Sequence, residues 1–122
     1  MRITNEQLAT ELASFIGTTQ YYRITNRFIV TDGVKYLADR ASCYWLLDLY
    51  AAHLASVDHE VDRFTVLKLV RQGAGANIAI EDGNDRQLAS QAVEYTDFPL
   101  PAIQLFACWD AQHWVAMLPS EY

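Results

Sequence analysis

The sequence predicts an α+β fold in which N-terminal helices pack on a C-terminal five-stranded antiparallel meander. Two features of the pattern lead there. Up to Ala55 the apolar side chains recur at spacings of three and four, as amphipathic helices require. After Asp58-His59-Glu60 the period moves towards two, β-branched and aromatic residues dominate, and glycine and proline cut the chain into short runs. With 122 residues, 52% hydrophobic and 20% charged, the chain is read as one globular domain, residues 1–122, with its own core.

The elements follow in order. From Thr4 to Gly17, Leu8, Leu12 and Phe15 or Ile16 share one helical face. Thr4 and Gln7 have the spacing of a capping box, and Gly17 is expected to end the helix in a left-handed conformation. Thr18–Arg23 and Arg27–Thr31 read as a short hairpin or extended excursion, closed by Asp32-Gly33. Val34, Leu37 and Ala41 then mark a second helix that Asp32 can cap. Ser42 has the side chain to cap a third helix, Cys43–Ala55, whose apolar circumference only Asp48 and His53 interrupt. Such a helix belongs in the middle of a domain or under a partner. Five strands are expected at 61–70, 77–81, 86–96, 102–109 and 113–118. Gly73-Ala74-Gly75, Asp82-Gly83-Asn84-Asp85, Asp97 to Pro101 and Asp110-Ala111-Gln112 separate them.

Six segments, taken in order, carry a resemblance. They are Tyr21-Tyr22-Arg23, Thr31 to Leu37, Tyr44-Trp45-Leu46-Leu47-Asp48, Glu81-Asp82-Gly83-Asn84, Thr96-Asp97-Phe98-Pro99-Leu100 and Leu118-Pro119-Ser120-Glu121-Tyr122. Across essentially the whole chain the sequence resembles a family of short uncharacterised bacterial proteins, a domain of unknown function often carried on phages, plasmids and other mobile elements. The resemblance implies an accessory role, such as an adaptor or inhibitor acting on a host protein. It brings no catalytic residue and no ligand with it.

Composition narrows the function classes. Fifteen acidic against nine basic side chains give a formal charge of −6, which argues against a nonspecific grip on nucleic acid phosphates. Arg23, Arg27, Lys35 and Arg40, interleaved with Tyr21, Tyr22 and Phe28, could stack on a base or hold a phosphate, but Asp32 and Asp39 stand among them. No run approaches the ~20 apolar residues of a membrane span, and no secretory signal opens the chain, so a cytoplasmic protein is expected. Cys43 and Cys108 are too few and too distant for a disulfide framework or a zinc knuckle. Asp58-His59-Glu60-Val61-Asp62 crowds ligand-type residues together without a recognised metal spacing and reads as a solvated connection. No cofactor and no metal are expected.

Three functional readings remain. The first is protein contact. In the last two strands Ile103, Leu105, Ala107 and Trp109 alternate with Phe106 and Cys108, while Trp114, Ala116 and Leu118 alternate with Val115 and Met117, so both faces are apolar. One face can pack on the helices; the other needs the Tyr21–Val30 segment, a second copy of the chain or another protein. A homodimer is the simplest outcome, with Phe106, Trp109, Trp114 and Met117 as contact residues. The second is a small cysteine hydrolase, with Cys43 in the first turn of a helix and His59 or His113 as its partner. The third is a small-molecule pocket between helix and sheet lined by Tyr36, Tyr44, Trp45 and Tyr50.

Overall fold

The computed structural model describes residues 4–122. It contains three α-helices, α1 (Asn5–Ala13), α2 (Asp32–Ala41) and α3 (Tyr44–Leu54). Seven strands accompany them: β1 (Tyr22–Thr25), β2 (Phe28–Val30), β3 (Phe64–Gln72), β4 (Gly75–Glu81), β5 (Gln87–Val93), β6 (Ala102–Trp109) and β7 (Trp114–Met117). All seven form one sheet in the order β1-β2-β7-β6-β3-β4-β5, and a 3-10 turn, Pro119–Glu121, closes the chain.

The α+β class holds, but the five-stranded antiparallel meander does not. The five C-terminal strands lie close to their expected positions, yet β6 pairs with the free edge of β3 and not with β5. The connection between them, 94–101, therefore crosses the end of the sheet. Phe98 plugs the core there, and Arg71 fixes the crossing by donating to the carbonyls of Gly75 and Phe98. Pro99 and Pro101 suit a segment that contributes little to any ladder. The second departure is at the other edge. The early hairpin, expected as a possible cover for the sheet, extends it instead: β1 pairs antiparallel with β2, and β2 runs parallel to β7. Phe28 and Val30 are its buried residues, opposite Trp114 and Ala116 of β7, so β2 turns the same face to the core as its neighbour.

The helices start and stop for reasons that differ in part from the expected ones. At α1 the capping box forms as read, Thr4 Oγ1 accepting from Gln7 N and Gln7 Oε1 from Thr4 N, both at 3.1 Å. Its end comes at Ser14, three residues before the expected stop, and Gly17 is not left-handed. Thr31, not Asp32, caps α2, and Ser42 ends α2 at φ 52° instead of capping α3. Cys43 is the N-cap of α3 and makes no side-chain cap bond. Helix α3 is a core helix with one face open to solvent. It buries Leu46, Leu47, Tyr50 and Leu54 against the sheet and leaves Asp48 exposed.

The core lies between the helices and one face of the sheet. Registers place Thr65, Leu67 and Leu69 opposite Ala107, Leu105 and Ile103, with Ile80 and Ile78 beyond on β4, all on the helix side. Tyr50 sits at its centre, edge-on to Phe28 at 5.8 Å, its hydroxyl 2.8 Å from Thr65 Oγ1. Burial of that polar group is tolerated because it is bonded. The C-terminal turn locks α2 to the sheet: Glu121 accepts from Thr31 Oγ1 at 2.6 Å, from Leu118 N at 2.9 Å and from Gly33 N at 3.2 Å. A carboxylate at the first turn of a helix also meets the favourable end of its dipole.

Candidate functional site

Two features of this fold face outward with more than a solvated surface: the uncovered face of the sheet, and a cleft at one of its ends. On the uncovered face the same registers bring together Phe64, Val66, Phe106, Cys108, Val115 and Met117. Phe64 and Phe106 meet edge-on at 5.1 Å, and the ring of Tyr122 lies 5.5 and 5.6 Å from them. Phe64, Phe106, Cys108 and Met117 are half-buried there, Val66 and Val115 are buried, and Tyr122 is itself 76% exposed. Gly83 at φ 86° lets the β4–β5 turn come close to Phe64, where a β-carbon would stand 2.8 Å from the ring. This belt is separate from the helix-side core, to which Phe64, Phe106 and Met117 do not belong. The charges that alternation assigns to the face are few. Lys68 and Glu81 pair at 2.9 Å, and Arg23 lies at the far edge.

The cleft, of about 280 Å³, opens past the C-terminal end of α3, where the β1–β2 turn and the facing ends of β6 and β7 meet. Ala51, Leu54 and Ala55 of α3 form one wall, and Phe28, Trp109 and Trp114 form the other. Thr25, Arg27 and His59 supply its polar groups. Ala51 and Ala55 are one turn apart on the same helix face, so two methyl groups stand where longer side chains would fill the space. The ring of His59 lies flat on Trp109, centroids 4.0 Å apart and planes within 12°, and Trp109 leans on Trp114 at 5.6 Å. Backbone bonds hold both tryptophans in place, from Trp109 N to Arg63 O and from Trp114 N to Arg27 O.

The four contact residues read from alternation divide between these two places. Phe106 and Met117 lie on the uncovered face, while Trp109 and Trp114 belong to the helix side and line the cleft. Of the pocket residues, Tyr50 is fully buried and Tyr36 rests against Phe15 at 5.3 Å. The hydroxyl of Tyr44 donates to Asp39 at the surface, and Trp45 is half-buried on α3. The cleft that does form is one turn further along α3 and uses none of those four.

Cys43 is closed to solvent, its Sγ 3.8 Å from the carbonyl oxygen of Leu37, and burial pushes its thiol up to about 12. That is opposite to what a nucleophile needs. His59 is engaged with Trp109, and His113 Nδ1 lies 3.7 Å from Asp110 Oδ2. Among the described residues no group of three His, Cys, Asp or Glu side chains is placed to hold a metal. Two of the four basic residues of the N-terminal half are engaged: Lys35 bonds Asp39 at 2.7 Å, and Arg40 lies over the ring of Tyr36 and 4.0 Å from Glu11. Arg27 alone of that set reaches the cleft. Sequence reasoning missed the alanine pair of α3, because on an all-apolar helix nothing marks two small residues as a gap.

None of the described helices is long and apolar enough to cross a membrane. No match was found among the curated proteins or the solved structures. Residues 6–122 match the model of a Family of unknown function (DUF6876), and the chain belongs to that family.

Proposed function

Since the family carries no activity to transfer, we propose that the chain works by protein contact through the uncovered face of its sheet, with a second copy of itself as the partner. One observation carries this reading: a continuous apolar belt, Phe64, Phe106, Met117 and their neighbours, lies outside the core and is only part-covered by Tyr122. Self-association suits the electrostatics as well. The chain has a net charge of −6, but the face holds Arg23 and the Lys68–Glu81 pair, so two copies meeting there do not bring their acidic surfaces together. An isologous interface uses each side chain twice, which makes a small belt count double. The mobile-element setting implied by the resemblance fits such an accessory contact protein, with a host protein as the eventual target of the dimer.

Sedimentation velocity over a concentration series tests the reading. A dimer is expected, and Phe106→Glu should weaken it by more than about tenfold, since each buried phenylalanine is worth about 1.5–3 kcal/mol. A chain that stays monomeric at all concentrations, or a dimer indifferent to Phe106→Glu, overturns it.

A further inference from the structure

The cleft beside α3 is independent of that face and points to a ligand of its own. Its size comes first. An apolar cavity of about 150 Å³ takes one benzene ring, and the cleft measures about 280 Å³, which is room for a one- or two-ring planar molecule and not for a peptide segment. Its walls are flat and aromatic on the sheet side and reduced to two methyl groups on the helix side. A planar ring entering there meets the stacked His59–Trp109 pair on one side and two methyl groups on the other.

The polar groups select among such rings. Arg27 is exposed at the rim and forms no ion pair among the described residues. Trp114 is only 4% exposed, and its indole N–H has no hydrogen-bond partner among the described residues. Among the described residues no fully buried side-chain nitrogen or oxygen is left unpaired, so that N–H keeps some access to solvent, and Trp114 is one of the residues that line the cleft. Donors thus outnumber acceptors. The nearby carbonyls and acids each have a partner of their own. Ala55, Ser56 and Val57 turn back to bond the carbonyls of Ala51, His53 and Leu54. Asp58 accepts from Glu60 N, Asp62 binds Arg86, and Asp110 accepts from Gln112 and His113 N.

We propose that this cleft binds a small planar aromatic carboxylate, its ring against the His59–Trp109 pair and its carboxylate held by Arg27 at the rim, with the Trp114 N–H as second donor. Arginine and carboxylate match in geometry as well as charge, which is why a neutral isostere should be the poorer ligand.

The test uses indole-3-acetate as probe and indole-3-ethanol as its uncharged counterpart, followed by the indole N–H signals in proton–nitrogen NMR spectra. The chain has three tryptophans, so Trp45, remote from the cleft, is the internal control. The expected result is saturable movement of the Trp109 and Trp114 signals with a Kd below about 1 mM, no movement of Trp45, and at least about tenfold weaker binding of the alcohol. Arg27→Gln, a change at an exposed side chain, should bring acid and alcohol to equal affinity. Ala51→Leu should abolish binding of both, with the circular dichroism spectrum confirming that it folds. Absence of saturation up to the solubility limit overturns the site. Equal affinity of the two probes for the native chain overturns the carboxylate assignment. Neither outcome depends on whether the chain dimerises.

Discussion

Replacing Gly33 by alanine tests what the C-terminal turn does for the fold. Gly33 is in the first turn of α2 at a negative φ, so alanine costs nothing in backbone geometry and would ordinarily favour the helix by up to ~1 kcal/mol. Here, however, the new β-carbon would stand 2.6 Å from Glu121 Oε1 and 2.6 Å from Leu118 Cδ1, inside any permissible contact. The Glu121 carboxylate must move, and with it go its bonds from Thr31 Oγ1, Gly33 N and Leu118 N. Hydrogen bonds to a charged group contribute about 1.5–3 kcal/mol each when part-buried, so losing two of the three costs about 3 kcal/mol or more. Set against the helix gain, the net loss is about 2 kcal/mol, or a drop of roughly 8 °C in Tm for a chain of this size. Urea denaturation of Gly33→Ala, Glu121→Ala and the double variant measures it. If the alanine acts by evicting the carboxylate, the double variant should be scarcely less stable than Glu121→Ala alone. A neutral or stabilising Gly33→Ala, or strict additivity of the two changes, refutes the argument.

Other outcomes follow from the same coordinates. Tyr50→Phe should cost about 1–2 kcal/mol in urea melts, because it leaves Thr65 Oγ1 with only a 3.5 Å bond to Ala107 O in the buried core. Iodoacetamide at pH 8 should label Cys108, half-buried on the uncovered face, well before Cys43, whose thiol is buried and pushed up to about 12; equal rates in the native chain would contradict the packing around α3. Gly75→Ala should prevent folding or lower stability severely, since a β-carbon there would lie 2.1 Å from Val93 O and 2.8 Å from Glu94 O, both backbone atoms that cannot swing away. Stability should fall in acid. The N–H of Thr19 holds Asp32 below its ordinary 3.8, and Lys35 does the same for Asp39. A carboxyl depressed by folding stabilises fully above its unfolded pKa and loses that contribution as pH falls from there through the folded value. Asp32→Asn should therefore flatten the limb below about pH 4 and leave the neutral plateau sloping no more than before.

Helix and strand content was legible because it depends on local pattern, whereas the sheet order was not, because it depends on pairings far apart in sequence. The boundaries of β6 coincide with the expected 102–109, and all five C-terminal strands exist. What pairs with what is decided at residues whose role appears only in three dimensions. Arg71 reads as an ordinary charge at a strand end, yet its guanidinium holds the 94–101 crossing that carries β6 past β4. Phe28-Ile29-Val30 is too short for its alternation to say whether it covers a sheet or joins one. Ser42 was expected to open a helix and in fact closes one, because a hydroxyl residue serves either end when its φ can turn positive.

The candidate sites were legible in halves. Alternation along β6 and β7 correctly separates Phe106 and Met117 from Trp109 and Trp114, but one contact surface cannot contain residues from opposite faces of a sheet. The segments that carry the family resemblance explain the rest. Thr31 and Gly33 meet Glu121, Phe98 fills the core under Arg71, and Gly83 admits the ring of Phe64, so four of the six segments are places where the fold is locked. Arg27, Ala51, Ala55, His59, Trp109 and Trp114 fall outside those segments. The resemblance therefore rests on the scaffold and says nothing of what lines the cleft. What the proposed ligand would meet is read from this chain's own side chains, and the feature to read is an arginine with no ion-pair partner among the described residues, beside an aromatic wall.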